Sequence, residues 1–156
     1  MAAWSEVVAA APELARVAEE RMRSHRHALL ATLRRDGSPR LSGTEVQFVL
    51  GELWMGGMGG ARKARDLQRD QRLALHSAPD RPEIPTGDAK VAGRGIEVLD
   101  QATIDAWAAT LGMDPPEPFH LFKVDVTEVS LLRAEGDHLV ITWWREHDGL
   151  HEVERR

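Results

Sequence analysis

The chain has 156 residues, a formal net charge of −5 at pH 7 and no cysteine. This length predicts a single domain with its own core, and the lack of cysteine excludes disulfides and thiolate metal sites. The acidic balance argues against a general nucleic-acid-binding protein, and no apolar run reaches the roughly 20 residues that a membrane-spanning helix needs. Because the first residues also lack the basic-then-apolar pattern of a secretory signal, we expect a cytoplasmic protein with neither nucleic-acid nor membrane partners.

The first 24 residues carry apolar side chains at helical spacing, and Pro12 suits the first turn of a helix over about 12–24. We expect this helical segment, residues 1–24, to precede a β domain over 25–156, within one domain overall. The β domain is predicted to begin with a meander of three strands joined by short turns. These strands cover residues 27–35, 40–50 and 53–58.

The rest of the chain alternates short helices with further strands. A helix over 61–69 has Ala64 and Leu67 placed to face inward, and Asp66 spaced to pair with Arg62 or Arg69. The remaining elements are strands over 72–78 and 89–99, a proline-rich loop over 79–88, a helix over 100–112, a loop over 113–118, and a hairpin of strands 119–135 and 138–146. Most predicted strand neighbours are close in sequence, which favours an antiparallel barrel with peripheral helices.

Local signals mark two of these elements clearly. Asp100 can cap the helix over 100–112, and Gly112 is a suitable residue just beyond its end. Gly93 and Gly95 within the strand over 89–99 predict a bulge or a bend, as at a barrel corner.

The stretch LWMGGMGGARKARDLQRD, residues 53–70, places four glycines directly before Arg62 and Lys63 at a helix start. A helix N-terminus exposes unpaired N–H groups, and glycines let the backbone approach a ligand closely. Cations at this end are unfavourable for the helix dipole unless an anion is bound. Either a phosphate site or a solvated turn explains the pattern, and it matches neither the Walker A loop nor G-x-G-x-x-G.

Three segments together resemble one known family. GGARKARDLQRDQRLALHS, HALLATLRRDGSPRLSGTEVQFVLGELWMGG and GDAKVAGRGIEVLD are similar to the pyridoxamine 5′-phosphate oxidase-like split β-barrel proteins, and the resemblance covers about residues 25–145. It implies a mainly β fold: a six-stranded antiparallel Greek-key split β-barrel with peripheral helices. It also implies a homodimer that binds FMN, or in an actinobacterial branch the deazaflavin F420, at the dimer interface.

The resemblance also implies which residues contact the cofactor. Arg62 and Lys63 would hold its phosphate, with Arg65 suited to a longer anionic tail. The other residues implied are Ser42 and Thr44, which would line the pocket, and Gly57 and Met58, whose backbone would pass close to the ring or the ribityl chain.

Two departures from the family pattern restrict the expected function. The stretch RLSGTEVQFVLGE lacks the lysine that the oxidases proper carry on their second strand, and ITWWREHDGLHEVERR does not match their substrate-binding tail. Oxidation of pyridoxamine phosphate is therefore not expected, and F420 is favoured over FMN. We expect an F420- or FMN-dependent oxidoreductase that transfers hydride to or from a small organic substrate, with no side-chain catalyst identified. The alternatives are a non-catalytic flavin, F420 or haem-binding protein of the same fold, and a structural domain without a cofactor.

Three histidines, and the tryptophans near the C-terminus, are better explained by structural roles than by metal binding or hydrolysis. His147 and His151 have a spacing that can hold zinc on a helix, but the Asp-Gly between them favours a turn. His76 and Ser77 have no predictable acidic partner for a hydrolase site. Adjacent tryptophans point to opposite faces of a strand, so we expect one of the pair 143–144 in the core and the other at a dimer interface or over the cofactor.

Overall fold

One antiparallel sheet of nine strands dominates the part of the chain that the structure, a computed structural model, describes: residues 1–79 and 87–156. The helices are α1 (Trp4–Ala10), α2 (Pro12–Arg23), α3 (Arg62–Arg69) and α4 (Gln101–Leu111). The strands are β1 (Ala28–Leu33), β2 (Pro39–Thr44), β3 (Val46–Val49), β4 (Glu52–Met58), β5 (Arg72–His76), β6 (Asp88–Glu97), β7 (Phe119–Glu135), β8 (His138–Arg145) and β9 (Gly149–Arg155). None of the helices in these residues is long and apolar enough to cross a membrane.

The sheet closes into a barrel at Glu45. Hydrogen bonds join neighbouring strands in the order β2-β1-β5-β6-β7-β4-β3, while β8 and β9 extend the sheet outward from β7. Because β2 and β3 are separated in the chain by Glu45 alone, the two ends of this order are one bent segment. The seven strands of the order therefore occupy six positions around the barrel, when β2 and β3 are counted as one.

The predicted antiparallel barrel with peripheral helices is confirmed, and the described residues form nine strands where six were expected, because β2 and β3 share one barrel position and β8 and β9 lie outside the barrel order. The predicted strand over 40–50 divides at Glu45, because its first half pairs with β1 and its second half pairs with β4. The additional strand β9 pairs with β8 beyond the turn at residues 146–148. Most of the predicted loop over 79–88 lies outside the described residues.

Local signals fix several element boundaries as predicted. Asp100 caps α4 by accepting a hydrogen bond of 2.8 Å from the Thr103 N–H, and Gly112 ends the helix with a φ of 61°. The pairing of β6 with β7 shifts register between Ala92 and Gly93, where the predicted bulge lies. The predicted helix over about 12–24 is α2, with Pro12 in its first turn, and a further helix, α1, precedes it.

The main core fills the barrel and continues under the N-terminal helices. Leu30, Met55 and Val124 from the strands belong to the same buried cluster as Val7 and Met22 from α1 and α2. A second, smaller cluster lies under α4, with Trp54, Trp107, Ala108 and Leu121. The two apolar clusters therefore place α1 and α2 on one part of the barrel and α4 on another, and α3 occupies a third position beside β1 and β6.

Candidate functional site

Helix α3 is fixed to the barrel by its inward face. Ala64 and Leu67 are buried in the main core, as their spacing predicted. Asp66 is also buried, with 3% of its surface exposed, on the same helix. These three residues leave the other face of α3, which carries Arg62 and Arg65, exposed to solvent.

The Asp66 carboxylate joins α3 to two strands. It accepts hydrogen bonds from Thr32 Oγ1 at 2.9 Å, Arg40 Nε at 2.6 Å and Arg69 Nη2 at 3.2 Å. Burial by itself raises the pKa of Asp66, but these hydrogen bonds outweigh it, so the pKa lies below its ordinary value. Of the two predicted partners, Arg62 or Arg69, Asp66 pairs with Arg69, and Arg40 from β2 is an additional partner.

The cations at the start of α3 are therefore not used to pair with Asp66. Within residues 1–79 and 87–156, Arg62 and Arg65 are exposed and have no hydrogen-bond or ion-pair partner. Lys63 is half-buried, and its Nζ donates to the Gly43 carbonyl at 3.0 Å. Burial lowers the pKa of Lys63 below its ordinary value, while the charge of Glu45 acts in the opposite direction. Three positive side chains thus lie at one helix start. Their charge is compensated only by the uncharged Gly43 carbonyl and by the more distant charge of Glu45.

Lys63 lies at a gap in the barrel wall. Strand β4 pairs with β7 from Leu53 to Met58, but it pairs with β3 only as far as Met55. In the described residues, 56–58 consequently have no strand partner on the side where β2 turns away toward β1. A small cavity of about 10 Å³ lies here, lined by Thr44, Gly57 and Lys63 among others. We refer to this opening as the barrel gap.

The glycine turn before α3 is held by contacts within the protein. Gly59 N–H donates to the Pro118 carbonyl at 2.8 Å, Gly60 N–H to His120 Nε2 at 3.2 Å, and Ala61 N–H to the Met58 carbonyl at 3.1 Å. A Cβ at Gly59 would lie 2.3 Å from Pro118 Cγ, and Gly60 has a φ of 75°. Close packing and a left-handed conformation thus explain these two glycines.

The expectation that the glycine turn itself approaches a ligand is therefore corrected in part. Its N–H groups already have acceptors, whereas in the described part of the chain the backbone N–H groups of Arg62 and Lys63 have none. Gly56 and Gly57 both line the cavity at the barrel gap, and a Cβ at Gly57 would meet only Lys63 Cε, at 3.7 Å.

The six predicted cofactor-contacting residues lie around one region, but not all line the same cavity. Thr44, Gly57 and Lys63 meet at the barrel gap. Ser42 is half-buried two residues earlier on β2, and Met58 is 75% exposed at the end of β4. Arg62 stands at the adjacent start of α3. The structure thus gathers these residues at one end of the barrel, and their contacts with a cofactor remain predictions.

Three residues that the sequence did not single out form a hydrogen-bonded chain beside this region. His120 Nδ1 lies 2.7 Å from Glu97 Oε1, and Gln68 Nε2 donates to both Glu97 carboxylate oxygens, at 3.1 and 2.9 Å. These residues come from β7, β6 and α3 and lie far apart in the sequence. No local spacing pattern could have revealed that they meet.

The other histidines that the sequence singled out, His76, His147 and His151, contact backbone or ring atoms or lie in a turn. His76 Nδ1 lies 2.6 Å from the Ser77 carbonyl oxygen, and the Ser77 hydroxyl accepts from the Ala89 N–H at 3.1 Å. His147 lies in the predicted turn, and the His151 ring stacks on Trp143 with 5.3 Å between ring centroids. A search of the described residues finds no group of three or more metal-binding side chains.

The outer surface of the barrel carries an apolar patch beside the site. Leu29, Ala31, Leu41 and Ala74 from β1, β2 and β5 line a shallow depression of about 460 Å³. Leu41 is 72% exposed. On β8, Trp144 is buried in the core, so the neighbouring Trp143 faces outward. We call the four residues from β1, β2 and β5 the outer patch.

Comparison with known proteins agrees with this architecture. A family model described as pyridoxamine 5′-phosphate oxidase matches residues 14–133, which is more than half of the chain. A comparison with curated proteins gave no match.

Solved structures share the fold at low sequence identity. An FMN-binding protein related to pyridoxamine 5′-phosphate oxidase from Nostoc punctiforme is 14% identical, with a TM-score of 0.64 over 100% of this chain and 98% of its own. PhzG from Burkholderia lata, solved with tetrahydrophenazine-1-carboxylic acid, is 15% identical, with a TM-score of 0.65 over 97% and 92%. An F420 reductase is 21% identical, with a TM-score of 0.53 over 72% and 94%. The family match runs from α2 to β7 and thus includes the barrel gap and α3, and the chain is therefore a member of the pyridoxamine 5′-phosphate oxidase family.

Proposed function

We propose that the protein is an oxidoreductase that binds F420, in preference to FMN, at the barrel gap. The observation that carries this proposal is the start of α3 where, within the described residues, the exposed Arg62 side chain has no partner and the backbone N–H groups of Arg62 and Lys63 have no acceptor. The helix dipole disfavours cations at this end, so an anion bound there removes the conflict. A phosphate group has the charge and the acceptor oxygens that such a site needs.

The residues around the barrel gap divide the binding between them. Arg62 offers a planar fork to phosphate oxygens, and Lys63 offers a point charge at the inner edge. Thr44 and Ser42 supply hydroxyl groups on β2, while Gly57 and Met58 leave backbone groups of β4 accessible. When bound, a flavin or deazaflavin ring supplies the hydride chemistry, and the protein supplies its position and electrostatics.

The preference for F420 follows from the charges near α3. Like Arg62, Arg65 is an exposed cation without a partner in the described residues, and it suits an anionic tail longer than one phosphate. At the end of β2, Glu45 adds a negative charge that pairs with Arg26 at 2.5 Å. Residues 40–52 lack the lysine that the oxidases proper carry on their second strand, so oxidation of pyridoxamine phosphate is not proposed.

We further propose that two copies of the chain form the complete site. The cavity at the barrel gap is about 10 Å³, too small to enclose a ring system within one chain. The outer patch lies on the outward face of β1 and β2, the strands that also line the cavity, and exposes large apolar side chains, as self-association surfaces do. A second copy packed on this patch would supply the missing wall of the site.

Replacing Ala74 with Arg is expected to convert the dimer into a monomer. Ala74 lies in the outer patch beside Ala31, and a guanidinium without a partner there would be buried by a second copy at high cost. Light scattering after size exclusion should give twice 17.4 kDa for the wild type and 17.4 kDa for A74R. The matched control A9R changes an exposed alanine on α1 and should remain dimeric. An A74R protein that is still dimeric would place the interface elsewhere.

Direct binding and turnover measurements test the proposed activity. The purified protein is titrated separately with F420 and FMN, and the expected result is saturable binding with a lower Kd for F420. Reduced F420 is then oxidised in the presence of small organic acceptors, and its absorbance reports turnover. Binding without turnover for any acceptor would indicate a non-catalytic carrier, and the absence of binding to either cofactor would refute the proposal.

A further inference from the structure

The imidazole of His120 is bonded on both sides. Its Nε2 accepts the Gly60 N–H at 3.2 Å, and its Nδ1 lies 2.7 Å from Glu97 Oε1. A backbone N–H can only donate and a carboxylate can only accept, so these two partners require the neutral ring with its proton on Nδ1. Both side chains are 20% exposed, which keeps most competing water away.

This arrangement connects the two ends of the turn and helix that carry the cations. Gly60 lies two residues before the first residue of α3, while Gln68 in the last turn of α3 donates to the same Glu97 carboxylate. His120 and Glu97 stand on the paired strands β7 and β6. The path from Gly60 through His120 and Glu97 to Gln68 therefore braces Arg62 and Lys63 from both directions against the rigid sheet.

We infer that His120, oriented by Glu97, is a positioning residue for the anion site at the start of α3. It holds Gly60 in its left-handed conformation, so that the N–H groups and side chains of Arg62 and Lys63 are presented together before a ligand arrives. This inference rests on the proposed function for the ligand itself. It adds that residues from β6 and β7, without touching the phosphate, set the affinity for it.

Three substitutions at His120 separate the two hydrogen bonds. His120→Leu removes both, and His120→Asn keeps a donor near Glu97 but is too short to accept from Gly60. His120→Gln places an amide oxygen where Nε2 stands and can accept the Gly60 N–H. We expect about 5-fold weaker FMN binding for the Leu and Asn variants, since one hydrogen bond contributes roughly 1 kcal/mol. The Gln variant should remain within about 2-fold of the wild type, which would be rescue by the conservative change.

Riboflavin and amide exchange distinguish positioning from general damage. Riboflavin lacks the phosphate, so its affinity should change little in any variant, whereas general damage to the barrel gap would weaken FMN and riboflavin alike. In the protein without ligand, the Gly60 amide should exchange faster in the Leu and Asn variants and not in the Gln variant. The control His147→Asn changes an exposed turn residue and should alter neither measurement.

The possible failures are separable. Wild-type-like FMN affinity and Gly60 exchange in His120→Asn would overturn the inference, and so would a His120→Gln variant as impaired as His120→Asn. A wild type that binds neither FMN nor F420 would refute the proposed function and, with it, the role in ligand binding. Gly60 exchange would in that case still decide whether His120 braces the turn.

Discussion

Replacing Arg62 and Lys63 together with alanine is expected to weaken the binding of F420 and FMN by at least ~2 kcal/mol, about 30-fold in Kd. Charge-assisted hydrogen bonds contribute roughly 1.5–3 kcal/mol each, and the wild-type helix start also loses its unfavourable cation–dipole interaction when the anion binds. Isothermal titration at two salt concentrations measures the effect. The wild-type affinity should fall as salt rises, and the variant should lose most of this dependence.

A matched control keeps the net charge of this variant but leaves the site intact. Arg16 and Arg145 are cations in surface ion pairs with Glu13 and Glu128, away from α3. R16A/R145A should bind both cofactors like the wild type. Equal affinity of R62A/K63A and the wild type would mean that the phosphate is held elsewhere.

Replacing Asp66 with alanine is expected to lower the free energy of unfolding by about 3 kcal/mol. Removing one member of a buried ion pair costs roughly 3–5 kcal/mol because the other charge is left uncompensated, and Arg40 keeps partial exposure, 19% of its side chain, which puts the effect at the lower end. Urea denaturation should show a lower midpoint with an unchanged slope. The control D70A removes a carboxylate paired with exposed Arg72 at the end of the same helix, and its effect should be much smaller.

The stabilisation by Asp66 should also depend on pH. Its pKa in the folded protein lies below the ordinary value of 3.8, so its contribution is fully present at neutral pH. The contribution is lost as the pH falls below about 3.8 and the folded carboxylate takes up a proton. The difference in unfolding free energy between the wild type and D66N should therefore be constant from pH 7 to 5 and shrink below pH 4. A difference that grew on acidification would contradict the assignment.

Features decided within a few residues could be predicted from the sequence. Asp100 and Gly112 mark the ends of α4 because capping depends on adjacent backbone groups. The same holds for Pro12 at the start of α2 and for the inward face of α3. The division of the strand at Glu45 could not be predicted, because it follows from the change of pairing partner from β1 to β4, which the segment itself does not specify.

The cations of the candidate site could be predicted from the sequence, whereas the hydrogen bonds that hold α3 and the glycine turn in place could not. Arg62 and Lys63 were visible because they stand together at a helix start. By contrast, the partner of Asp66 on β2 is 26 residues away, and the acceptor for the Gly60 N–H is 60 residues away. Hydrogen bonds across such separations depend on the register of the closed barrel, which no local pattern specifies.

The barrel gap exposes the backbone edge of β4 over residues 56–58. An exposed strand edge is a template onto which a foreign strand can add, and natural proteins protect such edges with charged side chains, lysine above all. Lys63, with its Nζ on the Gly43 carbonyl, stands at this edge. The ammonium group of Lys63 thus protects this edge against strand addition, and under the proposed function the same group would attract the anion. Evolution toward greater thermal robustness would favour sealing this edge with additional ladder bonds, and the opening for a ligand would be lost with it.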